Sequence, residues 1–236
     1  MYSINTRIRY SDVTESEVLS ASAMINYFQD LSTFHSVDAG ADLEYLRSIH
    51  RVWMINAWQI IIHRMPHFSE EVTIATWPYG FKSVYGYRNF TIAQQGKTTP
   101  DVIANSIWIL VDTGHGTPVK ITEDDTRFYQ LEAELSMEKP ARKIAFPKDA
   151  QNCPSFDVSP SDLDSNHHVN NGKYIAMAEQ FLPNGFSYRK LRTDYRNSAR
   201  LGDVIYPYLS KTDSDTIYVS LANEQRTPYA IVEFSS

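Results

Sequence analysis

The sequence predicts an α+β protein in which one long helix followed by several antiparallel strands occurs twice in tandem. Three observations carry this. Apolar residues recur at helical spacing early in the chain and again after residue 170. Each stretch is followed by runs rich in Val, Ile, Thr, Tyr and Trp, with period two or short apolar blocks that suit a pleated surface. The order of elements around the first helix then returns around the second.

In the first half, residues 4–10 read as a strand. Residues 18–36 read as a helix because Met24, Tyr27, Phe28, Leu31, Phe34 and His35 recur at three- and four-residue spacing. Thr14 and Glu17 stand three apart just before it, the spacing of a capping box. A short second helix is expected over 41–48, then strands over 52–62, 71–77, 85–93 and 103–111. Gly114, Gly116, Pro118, Pro140, Pro147 and Pro154 punctuate the next stretch, which reads as a connector with a short helix over 124–135. Beyond it come a short strand at Phe156 and Val158 and a helix over 170–181. Strands are expected over 186–197, 204–209, 216–221 and 230–234. The expected units are therefore an N-terminal domain over 1–112, a connector over 113–155 and a C-terminal domain over 156–236.

The repeat is visible residue by residue. Met24-Ile25 falls over Tyr174-Ile175 at an offset of 150, which also sets Gln29 over Glu179 and Ile8 over Val158. Glu71-Val72 falls over Asp203-Val204 at 132, so the second half is shorter between helix and strand.

Composition narrows the function. The chain has 236 residues, 42% of them hydrophobic and 13% aromatic, enough for a large core and unlike a disordered chain. A formal charge of -6 argues against a nucleic-acid partner. The one cysteine, Cys153, leaves no intrachain disulfide to form. Residues 1–11 lack the apolar run of a signal peptide, and the apolar blocks are strand-length, against about 20 residues for a helical span. A cytoplasmic protein without a membrane span is expected.

The densest polar cluster is Asp162-Leu163-Asp164-Ser165-Asn166-His167-His168-Val169-Asn170-Asn171. The 150 offset sets Asp164 over Thr14, Asn166 over Ser16 and His168 over Val18, so only the second half carries the carboxylate, amide and imidazole. The cluster opens a helix, whose first turn offers unpaired N–H groups and a dipole favouring negative charge. A carbonyl oxygen there meets backbone donors and the Asn166 amide. His168 is the residue type suited to proton transfer at neutral pH. Asp164 fits three roles: orienting that imidazole, activating a water, or capping the helix. His167 fits a solvent-facing or packed position, and Asn170 and Asn171 fit the satisfaction of turn groups.

The stretch from Leu163 to Tyr174 resembles the signature of the acyl-acyl carrier protein thioesterases. Val52-Trp53, Gln59 to Arg64 with Pro66, Glu71 to Trp77 and Ala104-Asn105-Ser106-Ile107-Trp108 add to the resemblance, which spans roughly residues 10–209. It implies a double hotdog fold and hydrolysis of fatty acyl-acyl carrier protein, ending chain elongation, without cofactor or metal. The family's catalytic residues carry onto Asp164, Asn166 and His168. Its acyl tunnel would lie in the first half, with Met24, Tyr27, Phe28 and Leu31 as lining candidates, although each equally suits a core position. Plant members carry a Glu-Cys pair where this chain has Ser198-Ala199, so a covalent cysteine mechanism there is excluded. Ser198 becomes a candidate for holding a water.

The partner implied is acyl carrier protein. Alternation along a strand sets Lys190, Arg192 and Arg196 on one face with Asp194, a candidate contact for that carrier or an ordinary solvated face. An acyl-coenzyme A thioesterase and a non-catalytic acyl-binding protein are the alternatives. A double hotdog permits a monomer or a homodimer.

Overall fold

The computed structural model describes residues 1–212 and 215–236. In chain order the first half holds β1 (Tyr2–Arg7), α1 (Ala21–Ala39), α2 (Leu43–Ser48), β2 (Arg51–Ile62), β3 (Glu71–Lys82), β4 (Tyr85–Gln94) and β5 (Val102–Asp112). The connector holds β6 (Thr117–Pro118), α3 (Glu123–Thr126) and β7 (Gln151–Asn152). The second half holds β8 (Phe156–Asp157), α4 (Asn171–Glu179), β9 (Lys190–Tyr195), β10 (Val204–Thr212), β11 (Thr216–Ala222) and β12 (Pro228–Ser235).

All strands pair antiparallel, and the main path runs β1-β3-β4-β5-β2-β9-β12-β11-β10-β7. The halves therefore join at the β2–β9 seam, where Gln59 stands opposite Arg192. Alternation along β2 turns Trp58, Ile60 and Ile62 to the helix side, where they share one core with Met24, Ile25, Phe28 and Leu31 of α1 and Tyr174, Ile175 and Ala178 of α4. This is the tandem helix-plus-sheet architecture expected of a double hotdog.

The duplication is retained in the backbone. Thr14 N–H donates to Val18 O at 2.8 Å, and Asp164 N–H to His168 O at 2.7 Å. Leu19 N–H donates to Pro66 O, and Val169 N–H to Ala199 O. Glu17 and His167 both take positive φ, 59° and 61°. The sheet offset, however, is 133 rather than 132: Arg7 pairs with Glu71, and Asp157 pairs with Val204. The acid-Val dipeptide matched at 132 is a sequence coincidence, and a one-residue slip exchanges the two faces of a strand. At 133, Gln59 and Arg192 are each other's equivalents, so the pseudo-twofold axis passes between them.

Three expected elements differ. α1 begins at Ala21 because Val18 bridges to His67 and Leu19 donates to Pro66, contacts distant in sequence. Ser20 caps α1, accepting from Ala23 N–H at 3.2 Å, while Thr14 and Glu17 form a turn instead of a capping box. α3 stops at Thr126, and the following chain is extended because the sheet's outer face takes up its polar groups. Trp77 Nε1 donates to Ala133 O, Leu135 N–H to Asn89 Oδ1, and Gln59 Nε2 to Glu138 O. β9 is shorter than expected, ending at Tyr195 before the chain turns toward α4.

Candidate active site

The polar cluster forms a tight loop between a 3-10 turn at Pro160–Asp162 and the first turn of α4. Asp164 closes it. Its Oδ1 accepts from the backbone N–H of Asn166 at 2.8 Å and of His168 at 3.2 Å, while Leu163 bridges to Val169. The carboxylate thus holds the backbone of the other two candidate residues, Asn166 and His168. Among the described residues the Asp164 carboxylate accepts from these loop N–H groups and not from the imidazole. Asp164 and His168 are half-buried, whereas Asn166 and His167 are exposed. His167 supplies the left-handed turn residue, as Glu17 does in the first half.

α4 is fixed beneath the loop from three sides. Asn170 caps it, with Oδ1 accepting from Gly172 N–H at 2.8 Å. Asn171 Nδ2 donates to Gln29 Oε1 of α1 at 2.6 Å, and Tyr195 OH donates to Asn171 O at 2.9 Å. Gly172 sits where the helices touch: a Cβ there would lie 2.8 Å from Ser22 O and 3.0 Å from Asn26 Oδ1. Tyr174 OH accepts from Ala199 N–H at 2.8 Å, and burial pushes this phenol's pKa up, keeping it neutral. With the bond from Val169 N–H to Ala199 O, this draws exposed Ser198 alongside the loop. Gln29, Tyr174 and Tyr195 were not assigned site roles from sequence. The available signal is Gln29, an amide standing over Glu179 at the repeat offset of 150.

Met24, Phe28 and Leu31 are fully buried and Tyr27 nearly so. Phe28 packs on Trp58 and Phe90, with ring centroids at 5.7 and 4.9 Å. Tyr27 OH donates to Asp12 Oδ2 at 2.6 Å, which commits its polar end to the first half's own loop. Two cavities of about 270 and 310 Å³ lie elsewhere, between the sheet's outer face and the connector. Both are lined by Gln59, Pro140 and Arg192, and neither by a residue of the 163–169 loop.

Lys190, Arg192 and Arg196 do share a face with Asp194, but they do not form a free cationic stripe. Lys190 pairs with Glu138 at 3.2 Å, Arg192 with Glu233 at 2.8 Å and Arg196 with Asp194 at 2.9 Å. Arg192 and Arg196 also donate to Ala141 O and Ile144 O of the connector. Lys190 and Arg196 stay exposed at this surface, and Arg192 is half-buried.

Residues 1–129 match the acyl-ACP thioesterase N-terminal domain, and residues 146–230 match the acyl-ACP thioesterase C-terminal domain. An oleoyl-acyl carrier protein thioesterase from Coriandrum sativum is 26% identical over 89% of this chain and 62% of its own length. The chain spans about six-tenths of the length of such curated relatives. A crystal structure of an acyl-ACP thioesterase from Bacteroides thetaiotaomicron superposes with a TM-score of 0.89 at 18% identity, covering 99% of this chain and 96% of that one. A putative oleoyl thioesterase from Lactobacillus plantarum gives 0.86 at 23% identity, covering 99% and 94%. These likenesses extend to the whole double-hotdog fold.

Proposed function

The chain belongs to the acyl-ACP thioesterase family, and on that premise we propose that it hydrolyses the thioester of fatty acyl-acyl carrier protein, releasing free fatty acid and ending chain elongation. One observation carries the reading. Two loops share a backbone, but only the loop before α4 bears Asp164, Asn166 and His168, where the other has Thr14, Ser16 and Val18. A fold needing only the turn is already served by the plainer set.

The thioester carbonyl sits at the start of α4, where the helix dipole and the Asn166 amide stabilise the developing oxyanion. His168 takes a proton from water as the water oxygen attacks the carbonyl carbon. The tetrahedral intermediate collapses, the C–S bond breaks, and the leaving thiolate recovers the proton from His168. Asp164 acts through the loop backbone as a positioning residue, and Ser198, drawn beside the loop, helps to hold the water. An unactivated serine is a poor nucleophile, so no acyl-serine is invoked. The acyl chain lies in the first half, displacing the packing of Met24, Tyr27, Phe28 and Leu31.

The deciding experiment is steady-state hydrolysis of short, medium and long acyl-acyl carrier proteins and matched acyl-coenzyme A substrates. Carrier-bound substrates should be preferred, and His168→Ala should lose at least about a hundredfold in kcat. Undiminished turnover in the folded variant would sink the site assignment. Ser198-Ala199 favours a second reading, acyl binding without turnover. It predicts retention of fatty acid with no hydrolysis of any substrate in the panel.

A further inference from the structure

Among the described residues, one buried side-chain nitrogen or oxygen lacks a hydrogen-bond partner: Nε1 of Trp58. An indole N–H only donates, and folded proteins leave few buried donors unpaired because each costs stability. The side chain is 2% exposed, so bulk water does not serve it.

Among the described residues no acceptor lies within hydrogen-bond reach of Trp58 Nε1. Trp58 lies on the helix side of β2 at the seam between the halves, with Phe28, Phe90 and Trp108 as aromatic neighbours at centroid distances of 5.7, 5.0 and 6.4 Å. The cross-strand hydroxyls opposite it, on Thr193 and Ser106, serve other groups. Thr193 Oγ1 accepts from the backbone N–H of Trp58 at 3.2 Å. Ser106 Oγ accepts from Trp108 Nε1 at 2.8 Å and donates to Arg88 O at 3.1 Å. The indoles of Trp108 and Trp77 thus find acceptors, and Trp58 does not. At the sheet offset of 133 the second half has Leu191, also fully buried, so this position needs only an apolar side chain to fill the core. Packing explains the ring of Trp58 but not its N–H.

We infer that Trp58 Nε1 is a polar anchor in the acyl-binding half, and that the acyl group accepted there carries an oxygen on its chain, an oxo or hydroxyl substituent. Such an oxygen accepts the indole N–H, while Phe28, Phe90 and Trp108 cover the flanking methylenes. An unsubstituted chain leaves the donor unpaired in an apolar setting and binds less well. The inference rests on the acyl-thioester reading given above.

The test compares unsubstituted acyl-acyl carrier proteins with chains of equal length bearing one oxo or hydroxyl group at successive carbons. Dissociation constants of the corresponding free acids are measured beside kcat/KM. At one chain position the wild-type protein should favour the oxygenated form about tenfold, the scale of one hydrogen bond. In Trp58→Phe, which keeps an aromatic ring and removes the N–H, that ratio should fall to about one. Equal handling of both chain types at every position by the wild-type protein would overturn the inference, as would a preference that survives in Trp58→Phe. If no substrate were hydrolysed, the thioesterase reading would fail, while the free-acid binding ratio would still decide the role of Trp58.

Discussion

Asn171, the first residue of α4, reaches across the interface between the halves to Gln29 in the middle of α1, its Nδ2 donating to Oε1 at 2.6 Å. The helix that follows the candidate site loop is thereby indexed against the long helix of the first half. Removing the acceptor with Gln29→Ala should cost about 1 kcal/mol at this contact. We expect kcat to fall five- to tenfold, about that energy expressed as a rate, with little change in KM. Gln29→Glu keeps an oxygen acceptor and should restore activity, since Glu179 already occupies the equivalent helix position. Unchanged kcat in Gln29→Ala would detach this contact from the site.

Asp164 contributes an acceptor to two backbone N–H groups, so the two ways of neutralising it should differ. Asp164→Asn retains a carbonyl oxygen that can accept from Asn166 and His168, although a neutral acceptor is weaker than a carboxylate. Asp164→Ala removes it and frees the loop. Asp164→Ala should lose about a hundredfold in kcat or more, and Asp164→Asn distinctly less. Equal losses would mean that the charge acts on the reaction itself.

How much of this was legible in the sequence follows from which interactions are local. The long helices and most strands show in spacing alone, because their buried faces repeat along the chain. The start of α1 does not: Val18 and Leu19 continue the apolar spacing but are pulled into bridges by His67 and Pro66. The site loop shows as a polar cluster confined to one of two repeats, yet Gln29 and Tyr195 join it only through tertiary contacts. The ion pair of Arg192 is illegible for the same reason. Nothing near Arg192 in sequence reveals that Glu233 and the connector meet it.

Gly172 offers a steric test of the helix contact. A methyl group there would lie 2.8 Å from Ser22 O, a backbone atom that cannot swing aside. Gly172→Ala should therefore push α4 from α1, with overpacking costing about 1–3 kcal/mol. The melting temperature should drop by about 2–4 °C for each of those kcal/mol in a chain of this size. Turnover should fall further than stability explains, because the shift displaces the loop before α4. A variant melting with wild type would show that the helices can separate freely.

Acid should weaken the first half through His35. Its ring stacks on Tyr2 at 5.1 Å, and Nδ1 accepts from the guanidinium of the buried Arg88 at 2.9 Å. Burial first, then Arg88 and the N-terminal ammonium, press its pKa down to about 4, with Asp38 opposing weakly. The folded value lies below the usual value of 6.5, so the unfolded chain binds the proton more readily. This contribution is whole above about pH 6.5 and is lost as pH falls toward 4. With the ring half-buried, solvent screening reduces it to about 1–2 kcal/mol. His35→Gln keeps an acceptor for Arg88 but cannot take up a proton, so its stability should decline less between pH 6.5 and pH 4. Urea unfolding of both proteins at a series of pH values measures the difference. Parallel curves would place the acid sensitivity elsewhere, with Asp12 and Glu70, whose carboxyls are held below their usual range by Tyr27 and Arg9 and by Arg64, as the groups to test next.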